Sequence, residues 1–314
     1  MTYTILSGGV GGAKLVTGFA DLLPADQLRV IANTGDDFEH LGLHISPDID
    51  TLTYSLAGIA NPETGWGLVD ETFSCMSALE NIGGETWFKL GDKDLATHLH
   101  RKTLLDSGKS LSQVTRNLCE KLNVTVPVIP MSNDTVSTMV HSDQGVLSFQ
   151  EYFVKLQAAP KVEKLIFAGS ESAKLPEAAR LALSQDSLQA IVLTPSNPYL
   201  SIDPILAVPG LKECISASSA PVIAVSPIVG GKALKGPTAK IMQELGLETS
   251  VISIAEHYSG IIDGLVIDTV DKAHQDAIEN MGIRVLAMNT VMNTAESKKN
   301  LAAGITDFAK ELTH

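Results

Sequence analysis

The first fourteen residues constrain the fold most. A β-rich run, YTIL (residues 3–6), passes into Ser7-Gly8-Gly9-Val10-Gly11-Gly12-Ala13-Lys14 and then into the helical pattern LVTGFADLL. Strand, glycine-rich turn and helix, in that order, form the opening unit of an open α/β sheet. The free N–H groups at the helix N-terminus then face the space beyond the strand, where a phosphate can be received. Four glycines in five positions let a ligand approach the backbone with no Cβ in the way. Lys14, expected in the first helical turn, adds a point charge; a plain tight βα turn would use the same residues. The spacing is neither GxGxxG nor GxxxxGK[ST], which disfavours Rossmann hydride transfer.

Later apolar runs continue the rhythm. LRVIA, LIFAG, AIVLTP, PVIAVSPI, GLVID and RVLAM read as buried strands. Helical spans are expected around 175–185, 208–218, 237–245 and 271–280. Two strands end in turns suited to a ligand, Thr194-Pro195-Ser196-Asn197-Pro198 and Ser226-Pro227-Ile228-Val229-Gly230-Gly231. Gly236-Pro237-Thr238-Ala239-Lys240 offers another possible anion cradle, with a lysine in its first turn. The fold class expected is α/β: a Rossmann-like, doubly wound, mostly parallel sheet. Its core is expected from residues 1–55 and 156–314. A mainly helical insertion with a β-hairpin, residues 56–155, would form a smaller subdomain over the site.

Between Asn33 and Tyr54 the stretch NTGDDFEHLGLHISPDIDTLTY carries five carboxylates, Asp36, Asp37, Glu39, Asp48 and Asp50. It follows a strand, the position at which open sheets place ligand chemistry. Read as extended, Ser46-Pro47-Asp48-Ile49-Asp50 would point both aspartates to one side, able to share a hard cation. A solvated acidic loop is the bland alternative.

Within the insertion, Trp66 and Trp87 are the chain's two tryptophans. Asp92 is expected to cap a helix running to about Asp106, with Gly108 as its stop. Asp94 and His98 then share one face, as do Thr97 and Arg101. Lys89, Lys93, Arg101 and Lys102 make the densest cation group. Beside Trp66, Trp87 and Phe88 it would suit a flat conjugated ligand, or serve as a solvated face. Ser132, Asn133 and Asp134 follow a strand-like run, where turn chemistry accounts for them as well as ligand binding does. A hairpin is expected to turn at Asp143-Gln144-Gly145.

The net charge of −13 argues against nucleic acid or an anionic membrane as partner. An anionic substrate must be held by local cations and backbone amides. Three widely spaced cysteines, Cys75, Cys119 and Cys214, suit reduced thiols in a cytoplasm. No run approaches the length of a membrane span, and the N-terminus lacks a basic leader. Together the residues suggest phosphoryl-type transfer, with a divalent ion and a carboxylate that orients or deprotonates a hydroxyl.

Nine motifs recur in the same order in one known family: SGGVGGAKL (7–15), NTGDD (33–37), SPDIDT (46–51), GWG (65–67), KLGDKDLATH (89–98), PMSND (130–134), PSNP (195–198), VSPIVG (225–230) and GPTAK (236–240). Along nearly its whole length the chain resembles the 2-phospho-L-lactate transferases of deazaflavin coenzyme F-420 biosynthesis. The resemblance implies transfer of a phospho-acid from its guanosine diphosphate adduct to the ribityl hydroxyl of the deazaflavin Fo, with GMP leaving. The acid would be 2-phospholactate, phosphoenolpyruvate or 3-phosphoglycerate, and the motifs do not separate them. It implies Fo contacts at Asp50 and Lys89, and Mg²⁺ held near Asp48 and Asp50. The nucleotide phosphates would lie on Gly9, Gly11, Gly12 and the turn with Ser196 and Asn197. Asp50 would act as base or through the metal, and Trp66 or Trp87 would hold the ring. Lys14, Asn33, Asp36, Asp37, Asp92, Asp94, His98, Ser132 and Asp134 complete the candidate binding set. The labile donor implies a guanylyltransferase as supplier. Edge-strand logic for residues 139–149 suggests a homodimer.

A nucleotide-sensing regulator of the same fold is the main alternative. It would need the glycine and NTGDD elements but not KLGDKDLATH with its tryptophan. A sugar-nucleotide or polyol phosphate transferase would share the phosphate and metal elements without binding a deazaflavin.

Overall fold

The computed structural model describes residues 1–313. Seven strands build the central sheet: β1 (Thr2–Ser7), β2 (Leu28–Ala32), β3 (Val128–Pro130), β4 (Leu188–Leu193), β5 (Val222–Val225), β6 (Gly264–Ile267) and β7 (Arg284–Ala287). Their spatial order is β7-β6-β5-β4-β1-β2-β3. Every neighbouring pair is parallel. Both faces are covered, which is why these strands are continuous apolar runs. Ile5 packs into one core and Leu6 into the other. On the first face lie helix α1 (Gly9–Leu22) and the C-terminal helix Ala295–Leu312, through Leu15, Val16 and Phe19 against Leu301, Ile305 and Phe308. Gly18 permits their approach, since a Cβ there would sit 2.3 Å from Lys298 O. The order reverses between β1 and β4, and a crevice opens at such a point beyond the strands' carboxyl ends.

Three expectations need correction. LIFAG is a strand, Val162–Ala168, but it lies outside the central sheet. It pairs antiparallel with Ser137–Ser142, which also pairs with Gly145–Ser148 across the expected turn. In its place Val128–Pro130 supplies the sheet edge, where a proline without an N–H is tolerated. The parallel sheet is therefore interrupted twice, by residues 33–127 and 131–187, rather than by one insertion at 56–155.

The second correction concerns Ser46-Pro47-Asp48-Ile49-Asp50, which is not extended. It opens helix α2 (Pro47–Leu56), with Ser46 at the cap and Pro47 in the first position, where a fixed φ and a missing N–H cost nothing. A short hairpin, Phe38–His40 with Leu43–Ile45, precedes it.

The third concerns the start of helix α4 (Asp92–Asp106). Asp92 caps the other helix, α3 (Ser74–Asn81), accepting from Ser74 N and Cys75 N at 3.0 Å each. Glu71 caps α4 in return, accepting from Lys93 N at 2.8 Å and Asp94 N at 3.1 Å.

Candidate active site

One cleft of about 870 Å³ collects the carboxyl ends of the central strands. Its floor is the glycine turn after β1, Asp36 after β2, Pro195 to Asn197 after β4, Ser226 and Pro227 after β5, and Thr290 to Asn293 after β7. Trp66, Trp87, Phe88 and Lys89 form one wall, and Phe149 and Phe153 extend it.

The glycine turn enters helix α1 at once, with Gly8 as cap. Gly9 has φ +62°, and among the described residues nothing lies within 4 Å of where its Cβ would be. It therefore presents bare backbone to the cleft. Gly11 also lines the cleft. Gly12 faces away: a Cβ would sit 2.3 Å from Ser7 Oγ and 2.5 Å from Ser196 Oγ, so this glycine seats α1 on β1 and β4 instead of meeting a ligand. Lys14 falls in the second turn, not the first. It lines the cleft and donates to Met292 O at 3.1 Å. Burial, then the charges of Lys235 and Lys298, lower its pKa. Lys240 turns out of the cleft, donating to Pro160 O at 2.8 Å and pairing with Glu244 at 2.6 Å.

Because α2 is a helix, side chains two positions apart diverge by about 200°. Asp48 faces the glycine turn, accepting from Gly9 N at 2.7 Å and Asn33 Nδ2 at 2.9 Å. Asn33 is fully buried and serves as this brace rather than lining the cleft. Asp36 is buried close enough to Asp48 for the two charges to repel. Burial first, then the charges of Asp48 and Asp37, push Asp36 well above the usual carboxylate range. Burial raises Asp48 to about 6 despite its bonds to Asn33 and Gly9. Asp37 lies behind them, accepting from Ser46 Oγ at 2.7 Å with His44 Nε2 at 3.1 Å, and does not line the cleft.

Asp50 faces α4. Its two oxygens meet the Arg101 guanidinium, Oδ2 with Nη1 at 3.2 Å and Oδ1 with Nη2. Arg101 Nη1 also lies 2.9 Å from His98 Nδ1, and His98 Nε2 lies 3.3 Å from Asp94 Oδ2. Tyr54 Oη donates to Asp94 Oδ1 at 2.7 Å. Burial tends to raise Asp94, but its contact with His98, the bond from Tyr54 and the charge of Arg101 outweigh it and lower its pKa. Asp50, Tyr54, Asp94 and His98 all line the cleft.

Of the aromatics, Trp66 is 51% exposed. Trp87 stands with Phe38, His40 and Phe88, its ring 5.1 Å from that of His40, with Lys155 Nζ 5.7 Å from the ring centre. Asp92, as above, is a helix cap. Ser132 and Asp134 also lie outside the cleft. Ser132 Oγ donates to Lys174 O at 2.8 Å and Asp134 accepts from Lys174 N at 2.8 Å, so the turn chemistry is their role in the fold.

The family model for 2-phospho-L-lactate transferase CofD matches residues 3–302. The chain belongs to the CofD family. A phosphoenolpyruvate transferase of Kitasatospora aureofaciens is 40% identical over 321 residues, covering 100% of this chain and 99% of the relative. That of Streptomyces griseus is 39% identical over 318 residues, covering 99% of each. The 2-phospho-L-lactate transferase of Methanosarcina acetivorans is 37% identical over 298 residues, covering 95% of this chain and 96% of the relative. Among solved structures, a UPF0052 family protein from Bacillus halodurans superposes with a TM-score of 0.61 at 14% identity, covering 97% of this chain and 98% of that one; it supports the fold alone. Among the described residues no helix is long and apolar enough to cross a membrane.

As a CofD family transferase, the chain offers two carboxylate sets for a divalent ion. Asp48 and Asp50, the pair expected from sequence, diverge on α2, and Asp50 is already paired with Arg101. Asp36 and Asp48 fit better: both are buried in the cleft, they repel, and Asp36 Oδ1 has no hydrogen-bond partner among the described residues. A hard cation relieves such a pair. Sequence reasoning missed Tyr54, Phe149, Phe153 and Thr290 to Asn293 as site residues, and offered Arg101 only as part of a cation group, not as the partner of Asp50. The last were findable, because they follow the predicted strand RVLAM as the other ligand turns follow theirs.

Proposed function

We propose that this transferase moves a phospho-carboxylic acid from its guanosine diphosphate adduct to the terminal ribityl hydroxyl of the deazaflavin Fo, in coenzyme F-420 biosynthesis. The observation that carries the reading is the junction, in one cleft, of a bare glycine turn at the sheet's reversal point with Asp50 and an aromatic wall. The guanosine diphosphate lies along Gly9, Gly11, Ser196 and Asn197, with Lys14 as point charge. Fo lies against Trp87 or Trp66, with Lys89 at the mouth and its hydroxyl at Asp50. The hydroxyl oxygen attacks the phosphorus that bears the acid. The bond to GMP breaks, GMP leaves with the electron pair, and Asp50 takes the hydroxyl proton. Asp36 and Asp48 would hold Mg²⁺, which when bound spreads the negative charge of the diphosphate. The acid is 2-phospholactate or phosphoenolpyruvate, the acids in the relatives' names, or 3-phosphoglycerate. A guanylyltransferase supplies the labile donor, the site is cytoplasmic and the working form is a homodimer.

Two measurements test this. Adding Fo should change its fluorescence or near-ultraviolet absorbance, and the panel of guanylylated acids should give turnover with at least one. Asp50→Asn should abolish turnover while guanosine nucleotide binding stays largely intact. Turnover retained in Asp50→Asn, or guanosine nucleotide binding lost together with turnover, would refute the assignment.

A further inference from the structure

Among the described residues, Asp50, Asp94 and His98 bring three potential ligand atoms within 4.8 Å of one another. Two carboxylates and an imidazole at that spacing make a set that transition metals take. Arg101 stands against the same set, with only 1% of its surface exposed. We propose that Arg101 is the resident cation of this three-ligand pocket, standing in for a metal ion and holding the Asp50 carboxylate for the acceptor hydroxyl. The second half rests on the function proposed above; the first half does not.

The hydrogen-bond roles lead to this assignment. A guanidinium donates at every N–H and accepts at none. His98 Nδ1, 2.9 Å from Arg101 Nη1, must therefore present its lone pair. The ring proton then sits on Nε2, the nitrogen 3.3 Å from Asp94 Oδ2, where a metal bridging Asp94 would need a bare lone pair. On the other side the guanidinium fork engages both Asp50 oxygens. Tyr54 Oη already donates to Asp94 Oδ1 at 2.7 Å. Both Asp50 oxygens and His98 Nδ1 are thus met by the guanidinium and Asp94 by Tyr54, and a divalent ion entering would stand beside a fixed positive charge.

The fork has a second consequence. Two parallel N–H···O contacts fix the plane of a carboxylate, which a lysine ammonium cannot do. Asp50 lines the cleft while Arg101 lies behind it. Arg101 is accordingly a positioning residue: it reaches the reaction through Asp50. Its remaining contact, Nη1 to His44 O at 3.4 Å, ties the fork to the hairpin before α2.

Zinc binding by the Arg101→Ala protein tests the assignment, measured by calorimetry with ZnCl₂ in excess Mg²⁺ and with neither substrate present. The variant should gain one zinc site per chain, tighter than anything in the wild type by on the order of 100-fold. Adding His98→Ala should abolish the gain. A folded Arg101→Ala protein that gains no site overturns the proposal. So does a wild-type protein that binds zinc as tightly at a site lost in His98→Ala. If Arg101→Ala does not fold, Arg101→Lys, which keeps the charge without the fork, decides. Its kcat should fall on the order of 100-fold with donor KM unchanged; an unchanged kcat overturns the proposal. The zinc experiment needs no substrate, so it stands or fails independently of the deazaflavin reading.

Discussion

Asp48 Oδ1 accepts the Gly9 N–H at 2.7 Å, joining the first turns of α1 and α2 across 39 residues of sequence. The glycine turn and the acidic helix are therefore one unit, and a change in either is felt by the other. Gly9→Ala is informative because it leaves that bond's atoms in place. The left-handed φ of +62° makes any side chain strained, at about 1–2 kcal/mol. The new methyl would also project into the bare space facing the cleft. The expected outcome is a small loss in the urea midpoint and a larger rise in donor KM, with the KM for Fo unchanged. Equal rises in both would mean that the turn does not face the donor.

The Asp36–Asp48 pair predicts a pH dependence whose sign follows from the direction of the shifts. Both carboxyls are raised in the folded protein, Asp48 to about 6 from an ordinary 3.8. Between those values the folded state holds a proton that the unfolded state has released, so stability falls as pH rises. For Asp48 the loss amounts to about 3 kcal/mol by pH 7. In EDTA, unfolding free energy measured with denaturant should therefore rise as pH is lowered from 7 to 5. Saturating Mg²⁺ should flatten that slope, and Asp48→Asn should flatten it without metal. An unchanged slope in Asp48→Asn would assign the effect elsewhere.

The sheet was legible in the sequence because strands buried on both faces are uninterrupted apolar runs, and five of the six predicted runs lie in it. LIFAG is the exception because an apolar run announces a strand but not its partner; Val162–Ala168 is buried only at Val162, is half-buried or exposed elsewhere, and pairs antiparallel. For Ser46-Pro47-Asp48 an extended reading is open, since the residue before a proline avoids the helical region. The same three residues also spell a helix start, with Ser as cap and Pro next, and packing realises that option. Arg101 could be placed on its helix and in a cation group, but not against Asp50. Its pairing with Asp50 spans 51 residues, and nothing in local spacing reports such a contact.

Gly12 marks where α1 rests on the sheet, and a methyl there tests how tightly the reversal point is packed. The added Cβ would lie 2.3 Å from Ser7 Oγ, 2.5 Å from Ser196 Oγ and 2.8 Å from Thr194 Oγ1. Gly12→Ala should destabilise by about 1–3 kcal/mol, read as a lower thermal midpoint. Adding Ser196→Ala removes one of the three clashes, so the double variant should recover part of the loss. Strict additivity of the two single effects would mean that the contacts are not shared.

The reciprocal caps of α3 and α4 connect a surface carboxylate to the chemistry. Glu71 accepts from Lys93 N at 2.8 Å and Asp94 N at 3.1 Å, satisfying two of the free donors at the start of α4. That helix carries Asp94, His98 and Arg101, and through them Asp50. Glu71→Ala should cost about 1 kcal/mol, the usual value of a lost cap. Amide exchange should quicken in the first turns of α4, and turnover should fall while donor KM holds. Glu71→Gln keeps one of the two acceptor oxygens, so it should fall between the alanine variant and wild type in all three. If the alanine variant exchanges faster yet turns over normally, the first turn of α4 does not govern the geometry of Asp50.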